Sequence, residues 1–180
     1  GDAAGADLDQ GDGQGCYNAQ RVAQAEALLR FIDTVVSESG EPDVLIIGDL
    51  NSYAKEDPMD ILEAANYVNL SVQEYVADGD FSYVFDGQWG SLDHAMASAS
   101  MTGQVGGVTT WHINAEEPII LDYNVEFKSL GQQTSLYNAD EYRSSDHNPI
   151  IVGLQLGMVS DFSDLDRSYG VGLHIGNNSV

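Results

Sequence analysis

Apolar residues recur at helical spacing from Asn18 to about Ser37, and this pattern predicts a long amphipathic helix. Asn18 suits the N-cap, and Gly40 and Pro42 end the periodic stretch. A continuous apolar run over 44–47 follows, as is typical of a strand covered on both faces. A helix followed by a buried strand indicates an α/β domain. The helical stripe comprises Val22, Ala25, Leu29, Ile32 and Val36.

The rest of the chain contains shorter elements and two irregular regions. A short helix is predicted over 59–65 after Pro58, because proline suits the first helical turn. Residues 114–146 are polar with little periodicity, and such long loops inside a domain are usually functional. We expect a domain over 1–157, beginning with an acidic, glycine-rich loop over 1–16, and an acidic, glycine-rich tail over 158–180. Strands are predicted over 81–85, 91–98, 108–113 and 150–156.

The charge balance narrows the range of partners. The chain has 6 Lys and Arg against 29 Asp and Glu, which gives a net charge of −23 over 180 residues. A broad basic surface for nucleic acid is excluded, and a polyanionic substrate would need help from divalent cations. An excess of carboxylates also favours solubility in salt, so a marine or halophilic source is a hypothesis.

Three further features bear on location and metals. The longest aliphatic run, 44–47, is far shorter than the ~20 residues of a membrane span, so no membrane partner is expected. Cys16 is the single cysteine; its polar, flexible neighbours favour a lost disulfide partner over a buried thiol. Asp7, Asp9 and Asp12 offer calcium ligands, although their spacing does not fit an EF-hand loop.

Three segments combine ionisable side chains with strand boundaries. They are 48–52 (Gly-Asp-Leu-Asn-Ser), 91–94 (Ser-Leu-Asp-His) and 144–149 (Ser-Ser-Asp-His-Asn-Pro). Each alone is compatible with ordinary turn chemistry, because Asp and Asn side chains bond their own backbone. Together they supply carboxylates suited to Mg²⁺ or Ca²⁺ and the imidazole of His147, which can donate or accept a proton.

These three segments, in this order, resemble the later signature motifs of the endonuclease/exonuclease/phosphatase superfamily, to which deoxyribonuclease I belongs. The resemblance runs from about residue 7 to residue 155 and is greatest to bacterial secreted nucleases. It implies part of a four-layer α/β/β/α sandwich, mainly the second half. The stretches that read like that subfamily are 11–16, 43–53, 54–58, 83–87 and 111–115.

The resemblance also implies roles for individual residues. Asp49 would orient or deprotonate the attacking water and share a divalent metal with Asp146, Mg²⁺ first, with Ca²⁺ and Mn²⁺ as alternatives. Asn51 would hold a phosphate oxygen. His147 would contact the scissile phosphate, with Asp93 bonded to its other ring nitrogen.

Other residues carry weaker expectations. Arg21 and Arg143 are candidates for substrate binding, although a surface ion pair explains Arg21 equally well. His94 should face away from Asp93 along its strand and serve packing or the surface. Trp111 and His112 are expected to be sheet residues.

The sequence therefore predicts a secreted, bacterial, divalent-metal-dependent nuclease of low sequence specificity, acting on DNA, with RNA as an alternative substrate. The superfamily's earlier Asn, Glu and His motifs have no counterpart here, so the N-terminal half of the same domain is an expected partner, and the chain alone should cleave weakly or not at all. Two alternatives stay open. One is a phosphomonoesterase or sphingomyelinase-like phospholipase, for which no exposed apolar hairpin is evident in the sequence; the other is an inactive fragment or interaction module.

Overall fold

Helices and short antiparallel strands alternate along the chain. The computed structural model describes residues 3–71 and 80–156, and the predicted tail over 158–180 lies outside them. The helices are α1 (Asn18–Ser39), α2 (Asp57–Ala64), α3 (Ala99–Thr102) and α4 (Leu130–Ser135), with 3₁₀ turns at Gly5–Asp7 and Ile119–Leu121. The strands are β1 (Leu45–Asp49), β2 (Tyr67–Asn69), β3 (Tyr83–Phe85), β4 (Gln88–Gly90), β5 (Asp93–Ser98), β6 (Val105–Thr110) and β7 (Ile150–Leu154).

The strands form three antiparallel groups. The largest sheet has the order β1-β5-β2, and its register places Asp49 directly opposite Asp93. β3 and β4 form a hairpin whose two connecting residues, Asp86 and Gly87, both have positive φ, as a type I′ turn requires. β6 pairs with β7. The register of the first sheet thus brings two of the predicted site residues side by side at one sheet end.

Two apolar clusters cover the two faces of the three-stranded sheet. On one face, Ile46 and Met96 pack with residues of α1 and α2, including Ile32 and Leu62. On the other face, Ala95 and Ala97 of β5 pack with Val108 and with partly buried residues of β7. The sheet therefore lies between the helices and the β6–β7 pair, which fixes the strand ends that carry the site.

The mixed α/β class is confirmed, and α1 extends two residues beyond the predicted end. Gly40 caps it in the left-handed region (φ 72°), and its N–H donates to the carbonyl of Val36 (2.9 Å). The strand predicted over 108–113 is shifted, since β6 ends at Thr110; Trp111 and His112 are therefore not strand residues. β1 is only partly covered, because Ile47 is half exposed. In residues 3–71 and 80–156, no helix is long and apolar enough to cross a membrane.

Candidate active site

An acid–imidazole pair lies where β5 begins and the loop into β7 ends. The Nδ1 atom of His147 is 2.7 Å from the Oδ2 atom of Asp93, and both side chains are only partly exposed. A carboxylate accepts from Nδ1–H, so this contact fixes the tautomer whose Nε2 is unprotonated when the ring is neutral. In the described part of the chain, Nε2 has no hydrogen-bond partner. One nitrogen is therefore held and the other is left for a substrate.

Buried backbone contacts position this pair. The hydroxyl of Ser82 accepts from the N–H groups of Leu92 (3.1 Å) and Asp93 (3.0 Å). The carbonyl of the same Ser82 accepts from the N–H of Asn148 (2.7 Å), the residue after His147. Ser82 is almost fully buried, so one residue fixes the backbone on both sides of the pair.

Asn148 organises the loop that carries His147. Its side chain is fully buried, and its Oδ1 accepts from three consecutive backbone N–H groups, those of Ile113, Asn114 and Ala115, at 2.9 to 3.2 Å. The side chain of Asn114 in turn donates to the carbonyl of His147 (2.6 Å). The segment after β6 is thereby tied to the segment before β7, so His147 is held from both sides.

Asp49 and Asn51 lie at the end of β1, next to the pair in register. Asp49 accepts from the backbone N–H of Asn51 (2.7 Å) through Oδ1 and from its Nδ2 (3.0 Å) through Oδ2. Gly48 (φ 134°) and Asn51 (φ 48°) turn the chain sharply on both sides of Asp49. Both carboxylate oxygens keep a free lone pair, so Asp49 is oriented but still able to accept a proton or bind a cation.

Tyr83 covers the outer side of the imidazole. Its ring stacks on that of His147, with centroids 4.5 Å apart and planes at 29°. Burial raises the pKa of Tyr83, and the negative charges of Asp146 and Asp49 raise it further. Both carboxylates therefore raise the pKa of one phenol beside His147.

Arg21 and Arg143 are both engaged in holding loops. Arg21 donates to the carbonyl of Asn51 (2.9 Å) and to the hydroxyl of Ser52 (3.0 Å), and it forms an ion pair with Glu56. Arg143 is buried and donates to the carbonyl of Asn114 (2.7 Å). Its other terminal nitrogen lies 3.7 Å from Asp122. Neither side chain extends freely toward a substrate.

His94 is a packing residue, on the opposite side of β5 from Asp93. It is almost fully buried, and its Nε2–H donates to the carbonyl of Ser52 (2.8 Å). Burial lowers the pKa of His94, and this effect is larger than the increase caused by the neighbouring carboxylates. His94 therefore stays neutral and supports the turn that follows Asp49.

The donor set for a metal is small. In residues 3–71 and 80–156, no group of three or more His, Cys, Asp or Glu side chains is arranged to hold a metal ion. Asp7, Asp9 and Asp12 instead accept from the backbone N–H groups of Gln20, Gly11 and Gln14. Mg²⁺ is commonly held by one or two carboxylates together with water and substrate phosphates. Asp49 and Asp146 fit that donor chemistry.

Sequence reasoning missed three residues that build this site: Ser82, Tyr83 and Asn148. Asn148 lies in a segment typical of turns and Ser82 in the strand predicted over 81–85, and neither pattern signals a buried polar side chain. Phe85 lies two residues after Tyr83, and this spacing was the one signal in the sequence that the two rings share a face.

Cys16 is exposed and lines a cavity of about 430 Å³ together with Asn51 and Tyr53.

The chain matches no protein-family model, and searches of curated proteins and of solved structures find no significant match either.

Proposed function

We propose that this chain carries the catalytic acid–base centre of a metal-dependent phosphodiesterase that hydrolyses nucleic acid, DNA first, with RNA as an alternative. The observation that supports it best is the 2.7 Å contact between Asp93 and His147, with Asp49 opposite Asp93 in the sheet register. In a displacement at phosphorus, an oriented carboxylate can accept a proton from the attacking water. An oriented imidazole with one free nitrogen can give a proton to the leaving oxygen.

The proposed reaction is attack by water on phosphorus. Asp49 accepts a proton from the water while its oxygen bonds to phosphorus, and the bond to the leaving oxygen breaks. His147, protonated on both nitrogens, stabilises the negative charge on the phosphate and can give its Nε2 proton to the leaving oxygen. Asp93 keeps the ring oriented through Nδ1, and the side-chain amide of Asn51, which donates one N–H to Asp49, would donate its second N–H to a phosphate oxygen.

Asp49 and Asp146 are the residues that would hold the metal, Mg²⁺ first and Ca²⁺ or Mn²⁺ as alternatives. A bound divalent cation would supply Lewis-acid neutralisation of the phosphate charge. The positive charge of such a cation matters because the protein has a net charge of −23, and its own electrostatic field repels a phosphate polymer.

One observation favours the phospholipase alternative. The β3–β4 hairpin exposes Phe85 and Trp89, which are 65% and 70% exposed, so an apolar hairpin not evident in the sequence is present. The two side chains lie on opposite faces of the hairpin, however, and the Trp89 ring stacks on Phe81 (4.6 Å). They do not form one apolar tip, so we rank nucleic acid first; sphingomyelin vesicles are the comparison substrate.

The test is the Asp93→Asn variant. Asparagine presents the wrong hydrogen-bonding pattern to Nδ1–H and carries no charge, so we expect plasmid cleavage to fall roughly 100-fold. Initial rates are measured at enzyme excess with Mg²⁺, Ca²⁺ and Mn²⁺. They are measured for the chain itself and for a form extended upstream along its gene.

Asp80→Asn is the matched control, because Asp80 contacts the Nε2 atom of His112 (2.8 Å) in a second acid–imidazole pair. We expect its rate to stay within about threefold of the parent. Cleavage by Asp93→Asn at the parental rate would contradict the assignment. Absence of cleavage by both wild-type forms with all three metals would contradict the proposed function itself.

A further inference from the structure

A row of aromatic rings runs outward from the candidate active site along one face of β3. The ring of Tyr83 stacks on His147, and the ring of Phe85 follows with its centroid 6.5 Å from that of Tyr83 and its plane tilted by only 18°. Residues two apart in a strand share a face, which explains the alignment. We call His147, Tyr83 and Phe85 the aromatic row. Its outer end is open, because Phe85 is 65% exposed.

The inner flank of the row is widened by Tyr53. Gly90 lies opposite Tyr83 in the hairpin, and a Cβ atom at Gly90 would collide with the ring of Tyr53. The absence of a side chain at Gly90 therefore leaves room for the ring of Tyr53 against the hairpin. Tyr53 also lines the 430 Å³ cavity together with Asn51, so aromatic surface continues from Phe85 to the turn after β1.

The charges near this surface give little help to a phosphate backbone. Only 6 residues of the chain are Lys or Arg. Arg21 and Arg143 hold protein carbonyls, Lys128 donates to the carbonyl of Asn124, and Arg30 lies 3.8 Å from Glu26 on the exposed side of α1. Lys55, in the turn after Tyr53, is the remaining Lys or Arg among the described residues, so few ion pairs with a phosphate backbone are available. Stacking of bases on aromatic rings is the contact that this surface offers, and it tolerates any base.

We infer that Phe85 and Tyr83 stack an unpaired base next to the phosphate held at His147, so that the preferred substrate is single-stranded or locally unpaired nucleic acid. A base inside a duplex has both faces covered by its neighbours and cannot reach such a row without being unstacked. The inference rests on the proposed function, since it assigns the strand type used at the same site.

The experiment measures equilibrium binding by fluorescence anisotropy with Mg²⁺. The probes are a labelled short oligothymidylate, a strand of equal length that carries abasic sugars only, and a duplex of equal length. The proteins are the wild-type chain, Phe85→Leu and the matched control Trp89→Leu. Trp89 has similar exposure on the same hairpin but lies on the other face, where it stacks on Phe81.

We expect the wild type to bind oligothymidylate more tightly than the abasic strand or the duplex. Phe85→Leu should weaken oligothymidylate binding by about tenfold and leave abasic binding unchanged, whereas Trp89→Leu should stay within about twofold. Equal binding of thymidylate and abasic strands by the wild type would overturn the inference, as would unchanged binding by Phe85→Leu or no binding at all.

Two additional outcomes separate the inference from its premise. Base-dependent binding without cleavage would support the aromatic row and contradict the proposed catalysis. Cleavage together with equal binding of the thymidylate and abasic strands would support the proposed catalysis and contradict the role of the aromatic row. Vesicles of phosphatidylcholine and sphingomyelin form the last arm. Vesicle binding that Phe85→Leu and Trp89→Leu both abolish, with oligonucleotide binding unaffected, would assign the hairpin to a lipid surface and overturn the inference.

Discussion

In residues 3–71 and 80–156, two histidines contact carboxylates, and their surroundings differ in one respect that matters for chemistry. His147 contacts Asp93 through Nδ1, and its Nε2 atom has no hydrogen-bond partner among these residues. His112 has its Nε2 atom 2.8 Å from Asp80, while its Nδ1 atom contacts Glu116 and lies 3.1 Å from the side-chain nitrogen of Asn148. The second imidazole is thus occupied on both sides, and the first is occupied on one.

This difference separates an imidazole that can react from one that holds structure. Proton transfer to a substrate requires a nitrogen that the substrate can reach, and His112 has none to offer. The presence of a nearby acid does not distinguish them, because both histidines have one. The free nitrogen, together with the stacked ring of Tyr83, is what marks His147.

The largest expected effect comes from removing each imidazole in turn. His147→Gln should lower plasmid cleavage at least about 100-fold, because it removes the imidazole that we propose contacts the scissile phosphate. His112→Gln should leave the rate within about threefold, because its ring takes no part in the reaction. Initial rates with Mg²⁺ at enzyme excess provide the measurement.

Circular dichroism of both variants verifies that each is folded. Equal losses of activity in the two folded variants would remove the distinction between the histidines. A larger loss in His112→Gln would reverse it.

Asn148 links the two histidines and is the next position to change. Asn148→Ala leaves the buried N–H groups of Asn114 and Ala115 without their acceptor, whereas the N–H of Ile113 keeps the carbonyl of Trp111 (3.0 Å). A buried unsatisfied donor costs about 1 to 3 kcal/mol, so we expect a loss of about 3 kcal/mol in the free energy of unfolding, measured by urea titration.

Asn124→Ala is the matched control, since its Oδ1 accepts one N–H, that of Glu126 (2.9 Å), at an exposed turn. We expect a change below about 0.5 kcal/mol there. Equal losses in the two variants would show that Asn148 is an ordinary turn residue. The sequence-based alternative of simple turn chemistry would then suffice for residues 144–149.

The fold could be predicted from the sequence where apolar side chains recur at helical or strand spacing. The apolar stripe and Gly40 define α1 to within two residues. β6 was misplaced because Gly106 and Gly107 carry no side chain, although Gly107 pairs with Gly153 through the backbone. β3 lies within the strand predicted over 81–85, but β4 and the hairpin pairing were missed despite Asp86-Gly87, the two-residue turn signal, because β4 has only three residues.

The site was predictable as a set of residue types and less so as an arrangement. Asp93 and His147 are 54 positions apart, and they meet because Ser82 binds the backbone of Asp93 and of Asn148. The hydrophobic pattern of the sequence cannot predict such a link, because it depends on one buried hydroxyl and one buried carbonyl. The engagement of Arg143 was equally hidden, because a basic residue beside a motif resembles a phosphate ligand until its burial is known.

The smallest expected effect at neutral pH is on the free energy of unfolding and comes from His94, a third histidine. Its titration matters to the comparison because it limits the pH range in which cleavage rates can be compared. Burial lowers its pKa below the ordinary 6.5. The unfolded chain therefore binds this proton more readily than the folded one, and folding stability falls as the pH drops below about 6.5. Above that pH both states are neutral at this residue and the contribution is fully present.

His94→Gln removes this titration and keeps a donor for the carbonyl of Ser52. We expect the unfolding free energy of the wild type to decrease more steeply than that of the variant between about pH 7 and pH 5, in parallel urea titrations. The other titrating groups are common to both proteins, so the difference in slope isolates His94. Identical slopes would mean that the buried ring accepts a proton in the folded state. In that case a loss of cleavage in mild acid would have to be assigned to His147 and its neighbours, because unfolding through His94 would no longer explain it.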